Sequence, residues 1–254
     1  MRSPDDPPLC PLKVASFPDT ASVRAAGGRS LLGSHLAIHV RAAVTPGQAL
    51  AWAGATEGAG SDLVSAFEGA QSSLGIAWYT HLEEGRARQY FEQARASDER
   101  VSAHLPGFQE AFGALVGEAL GVPVVRRRGH AGPGVHVFPA HGLCATRGGE
   151  IHFDTEGLPE PHKRALRPAF TAVLPLSRVT RGGGLRLWDV RYDGQEDPAL
   201  ALSREPLTLA YAPGDLVLFE GYRLHQIEPF EGDIPRVSAT CHVALMSGRW
   251  ELWF

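Results

Sequence analysis

Residues 211–245 read YAPGDLVLFEGYRLHQIEPFEGDIPRVSATCHVAL. A Pro-Gly-Asp turn (Pro213, Gly214, Asp215) opens an apolar strand that ends at Phe219, and His225 follows six residues later. From Arg236 the pattern alternates strictly. Arg236, Ser238, Thr240 and His242 fall on one face, and Val237, Ala239, Cys241 and Val243 on the other. Period two is the signature of a half-buried strand. A polar face headed by arginine is costly inside a protein unless something anionic meets it. A guanidinium beside a hydroxyl suits a carboxylate, which it grips as a fork.

Working outward, short β-rich segments separated by Gly/Pro turns run from residue 122 to 245. Strands are expected at 122–126, 134–138, 150–153, 169–176, 184–188, 206–211, 215–219, 225–227 and 236–245. Many short strands at this spacing indicate a sandwich or barrel rather than a parallel α/β sheet. Before residue 122 the pattern is mostly helical. An early strand is expected within 31–44, and Pro46 opens a short helix. Leu63, Phe67, Ala70 and Leu74 at helical spacing predict a helix over 61–74. Thr80 to Glu83 fits a capping box opening a helix through 96. Phe108, Phe112, Leu115, Val116, Ala119 and Leu120 form an apolar stripe over 108–120, closed by Gly121 and Pro123. The expected organisation is a mobile tail over 1–12 and one domain over 13–254. Within it, a helical layer at about 45–121 supports a β core at about 122–246.

The chain has 254 residues, 44% hydrophobic and 20% charged, with 24 basic against 28 acidic side chains and a net charge of −4. This is a folded-protein composition without the basic footprint of a nucleic-acid binder. No apolar run approaches the ~20 residues that span a bilayer. Residues 1–11, with two acids and four prolines, are not expected to form a secretory signal. Cys10, Cys144 and Cys241 form no CxxC pair or disulfide framework, so a reducing cytoplasm is the expected location.

A third feature is His152-Phe153-Asp154. On a strand, positions i and i+2 point the same way, so an imidazole and a carboxylate would stand side by side. Singly, each feature also fits a plain reading: a surface-turn histidine for His225, a structural ion pair for Arg236. Together, two histidines and one carboxylate match the facial triad of non-haem Fe(II) oxygenases.

Over roughly residues 134–246 the chain resembles the Fe(II)/2-oxoglutarate-dependent dioxygenases, nearest to their prolyl-hydroxylase-like branch. The resemblance is carried by His152-Phe153-Asp154, by FTAVLPL at 170–176, by GGGLRLW at 182–188, by the Pro-Gly-Asp strand before His225, and by Arg236-Val237-Ser238. It implies a double-stranded β-helix (jelly-roll, cupin-like) core on a helical layer. It implies Fe(II) on His152, Asp154 and His225, and 2-oxoglutarate on Arg236 and Ser238. It implies O2-dependent oxidation of an unactivated C–H bond, with release of succinate and CO2. Asp154 argues for oxygenation, or for a desaturation or cyclisation variant, since related halogenases lack this carboxylate. Members often carry a polar group that assists the oxoacid on the strand after the first two ligands; here Thr171 is the candidate.

Substrate contacts are expected from loops at 140–149, 155–167 and 189–204. Arg147 and Glu156 are candidates there, as is Trp188, although core packing is the more ordinary role for that tryptophan. His136 and His141 could line the mouth, His242 could stand behind the ligands, and His162 reads as solvated. A small molecule such as an amino acid or specialised metabolite is the expected substrate, with no nucleic-acid or membrane partner. Two readings stay beside it: a protein side-chain (prolyl-type) hydroxylase, and a cupin-like metalloprotein or binding module that does not use 2-oxoglutarate.

Overall fold

The computed structural model describes residues 13–194 and 204–254. The expected tail at 1–12 and most of the 189–204 loop lie outside the described residues. The strands are β1 (Val14–Phe17), β2 (Ala37–Val40), β3 (Val64–Ala66), β4 (Gln71–Leu74), β5 (Val124–Arg126), β6 (Gly134–Phe138), β7 (Ala169–Pro175) and β8 (Arg181–Gly182). They continue with β9 (Leu185–Arg191), β10 (Leu207–Leu209), β11 (Leu216–Glu220), β12 (Arg223–Ile227), β13 (Phe230–Glu231), β14 (Arg236–Met246) and β15 (Arg249–Trp253). The helices are α1 (Thr20–Ala25), α2 (Pro46–Glu57), α3 (Trp78–Glu83), α4 (Ala87–His104), α5 (Phe108–Leu120), α6 (Leu143–Arg147) and α7 (Glu160–Arg164).

Ten strands form one sheet, ordered β1-β2-β11-β7-β14-β6-β4-β3, with β15 and β5 added beside β14. Three more form a second sheet, β10-β9-β12. The alternation along β14 decides what the large sheet does. Val237, Ala239, Cys241 and Val243 join Ala172, Leu174, Leu216 and Leu218 on one face, packed against Ala49 and Ala53 of α2 and Phe108, Phe112 and Val116 of α5. On the other face, Val173, Val217 and Phe219 pack against Leu185, Leu187 and Leu209 of the small sheet. Helices therefore cover one side of the large sheet and the small sheet covers the other. The polar stripe of β14 lies in the space between the sheets.

Several expectations change. The segment 61–74 is the β3–β4 hairpin, not a helix. Phe67, Glu68 and Gly69 all take left-handed backbone angles at its turn, and β4 pairs with β6 through Ser72–Val137 and Ser73–His136. Strand pairing thus overrides an apolar spacing that happened to match a helix. The helix expected at 80–96 is two: α3 begins after Ala77, and Gly85, at φ +69°, separates it from α4, which runs on to His104. Thr80 bonds back to the Ala77 carbonyl and caps nothing. Only Ala37–Val40 of 31–44 is strand. Residues 150–153 are reduced to a single bridge between His152 and His225. The sheet also recruits β1, β3 and β4 and the C-terminal β15, which the sequence reading left out. The helix at 108–120 is as expected, ended by Gly121 at φ +71°.

Candidate metal centre

The His152–His225 bridge is the scaffold of the site. Each backbone N–H donates to the other's carbonyl, at 3.1 and 3.0 Å, so one ring from a loop and one from β12 face each other with centroids 4.3 Å apart. Two residues on, the Asp154 N–H donates to the Gly221 carbonyl at 2.8 Å, which pins the loop a second time. Ligand atoms of His152, Asp154 and His225 lie within 4.8 Å of one another. His152 Nε2 is 3.4 Å from Asp154 Oδ1, and His225 Nε2 is 3.4 Å from Oδ2.

The donor set fits a divalent first-row metal. Each imidazole commits Nδ1 to a backbone carbonyl, that of Glu150 for His152 and that of Arg223 for His225, both at 2.9 Å. This selects the tautomer with a free Nε2, the arrangement that metal-bound histidines use. Burial works against the Asp154 carboxylate, but the charges of His225, His242 and His152 and the His152 hydrogen bond hold it well below the ordinary range, so it is ionised. Burial likewise opposes protonation of His152, but the hydrogen bond and charge of Asp154 outweigh it and lift His152 to about 9. His225 is pushed down to about 4, chiefly by burial. Without a metal, the acid beside the rings thus favours a proton on His152 Nε2, which a bound cation would replace. The His152 side chain is 44% exposed and that of His225 only 5%, so the site opens on the His152 side.

Deeper in the space between the sheets, Arg236 is buried. Its Nε donates to the Gly183 carbonyl at 2.9 Å, Nη1 to Ser238 Oγ at 3.0 Å and Nη2 to the Tyr211 hydroxyl at 2.6 Å. All three acceptors are neutral. Among the described residues, one of the N–H groups on each terminal nitrogen is left over, a pair that a carboxylate can accept as a fork. The rings of Phe138 and Tyr211 flank the charge, at 5.4 and 6.0 Å.

Thr171 lies on β7 directly opposite His242, and its hydroxyl donates to Asp154 Oδ2, so it is tied to the triad. Glu156 is half-buried near His152, whose proton its charge favours. Arg147 is an exposed residue ending α6. Trp188 is buried in the core and donates its indole N–H to the Arg204 carbonyl at 3.1 Å. His162 is buried rather than solvated, because α7 packs it inward. His141 is exposed beside Asp233, whereas His136 is buried directly opposite Ser238 and is held down to about 3, mainly by burial. Tyr211 was missed as a partner of Arg236. The two are 25 residues apart, and only the turn at Pro213–Asp215 hinted at their meeting.

No family profile and no curated protein matches this sequence. Solved structures do match. An N-substituted L-amino acid dioxygenase from Burkholderia ambifaria AMMD is 17% identical, with 92% of this chain and 90% of that one covered at a TM-score of 0.55. An oxidoreductase of the 2OG-Fe(II) oxygenase family from Burkholderia pseudomallei is 12% identical over 93% and 97%, at 0.51. The non-heme alpha ketoglutarate dependent carbocyclase SnoK from nogalamycin biosynthesis is 15% identical over 86% and 92%, at 0.54. The fold of this chain is the one these 2OG-Fe(II) oxygenases share.

Proposed function

We propose that the chain is an Fe(II)- and 2-oxoglutarate-dependent oxygenase, a single domain over 13–254 with a double-stranded β-helix core. It oxidises an unactivated C–H bond of a small molecule such as an amino acid or specialised metabolite, releasing succinate and CO2. The observation that carries this reading is the convergence of His152, Asp154 and His225 in the same inter-sheet space as a buried arginine with two spare N–H groups. The triad answers to the metal; the arginine answers to a diacid, and a cupin-like metalloprotein without an oxoacid has no use for it. The N-substituted L-amino acid dioxygenase among the structural relatives supports a small-molecule substrate.

Bound Fe(II), with the oxoacid and O2, would supply the oxidising power that side chains lack. The chain's own residues do the rest. His152, Asp154 and His225 would hold the metal on one side and leave the other side open. Arg236, with Ser238 and Tyr211, would receive the distal carboxylate and set the depth of the oxoacid. Phe138 and Phe219, buried beside Arg236 and His225 respectively, keep water from these charges. Glu156, whose charge acts on His152, would meet substrate at the open side. No helix among the described residues is long and apolar enough to cross a membrane.

Anaerobic titration with Fe(II) and then 2-oxoglutarate tests the proposal. A weak visible charge-transfer band that requires both components is expected, followed by succinate release in a metabolite screen. Metal binding without the band would leave only the non-oxoacid metalloprotein.

A further inference from the structure

On a six-coordinate ion, two imidazoles and a carboxylate bound through one oxygen leave three positions open, but only two if a second oxygen joins. A carboxylate has two, and nothing in an Asp-containing triad by itself prevents both from closing on the ion. In this chain the large sheet reaches across to one of them. Thr171 on β7 and His242 on β14 are direct cross-strand partners on the face between the sheets. The Thr171 hydroxyl donates to Asp154 Oδ2 and lies 3.2 Å from His242 Nδ1. A hydroxyl has one proton, so with that proton given to Asp154 it can only accept from the imidazole. His242 Nδ1 is therefore the donor, which sets the tautomer of that ring. The direct separation of His242 Nδ1 and Asp154 Oδ2, 3.9 Å, is too long for a hydrogen bond, so the threonine is the link. His242 is held in turn by the fully buried Trp253, with ring centroids 5.7 Å apart.

We propose that Thr171, oriented by His242, is a positioning residue that holds the Asp154 carboxylate through Oδ2 and so fixes the orientation in which it meets the metal. This rests on the reading of Asp154 as a ligand and gives Thr171 a task other than contact with the oxoacid.

The test uses Mn(II) as a redox-silent probe of the full-length protein, with free Mn(II) followed by electron paramagnetic resonance. Thr171→Val removes the hydroxyl at nearly constant volume, and Thr171→Ser restores it. Loss of a group that orients a metal ligand weakens metal binding by roughly 10- to 100-fold, which is the change expected for Thr171→Val. Thr171→Ser should regain wild-type affinity, an outcome that a merely space-filling role for the threonine does not produce. His242→Phe keeps a ring on Trp253 and removes the donor; it should weaken binding in the same direction, and it carries the test if Thr171→Val does not fold. Wild-type protein that binds no Mn(II) would overturn the metal site itself. Wild-type protein that binds Mn(II), with the valine and phenylalanine variants binding equally well, would overturn this inference alone.

Discussion

Replacing Arg236 with methionine separates a structural arginine from one that waits for an anion. The side chain is buried, and its three hydrogen bonds all go to neutral oxygens. Without ligand it is a buried cation that meets no acid among the described residues, an arrangement that adds little to stability. With an oxoacid it would add two charge-assisted bonds, each worth about 1.5–3 kcal/mol. Taking the lower end, their loss costs about 3 kcal/mol, or roughly 100-fold in affinity. The assay is thermal unfolding in Mn(II) with and without 2-oxoglutarate. At a concentration about 100 times the wild-type Kd, binding stabilises by about 2.7 kcal/mol. For a chain of this size that is a rise in Tm of roughly 5–10 °C. At the same concentration Arg236→Met would be only about half-saturated and would gain about 0.4 kcal/mol, a rise of roughly 1 °C. Its Tm without oxoacid should stay near the wild-type value. A variant that keeps the full oxoacid-dependent rise would show that the diacid seats elsewhere. A collapse of the ligand-free Tm would show that the guanidinium is a structural strut.

Asp154→Ala should abolish both Mn(II) binding and metal-dependent succinate formation; turnover at the wild-type rate would remove Asp154 from the ligand set. Asp215 is opposed by burial, but the His39 hydrogen bond at 2.8 Å, the N–H groups of Ala212 and Ala42 and the His39 charge hold its carboxyl below the ordinary value. Because the folded value lies below the unfolded one, the carboxylate's stabilisation is present above the unfolded value and is lost as pH falls through the folded one. Asp215→Asn should cost about 1–3 kcal/mol at neutral pH and flatten the decline of Tm on acidification below about pH 4, whereas parallel Tm-against-pH curves would contradict the assignment. Gly134→Ala would place a Cβ 2.1 Å from the buried Phe254 ring. It should destabilise the fold by about 1–3 kcal/mol, and a Tm equal to wild type would show that the C-terminus yields freely.

The parts that were legible are those whose information is local. Residues 108–120 carry a complete apolar stripe and a glycine that stops it, and they form α5 as expected. His152 and Asp154, like Arg236 and Ser238, sit two apart, so one extended backbone turns each pair to the same side wherever the segment goes. The failure at 61–74 has the same origin. Its apolar spacing matched a helix, but the pairing that decides the segment, with residues 135–137 of β6, is more than 60 positions away.

The residue types of the site, and the face each would present, were thus set by the chain alone, because side-chain direction follows from backbone period. Contacts across long separations were not. His225 meets His152 through a single bridge, Tyr211 meets Arg236 across a turn, and Thr171 meets Asp154 from another strand. Each depends on how the two sheets close over one another. That closure is decided by burial summed over the whole apolar core, which no local window contains.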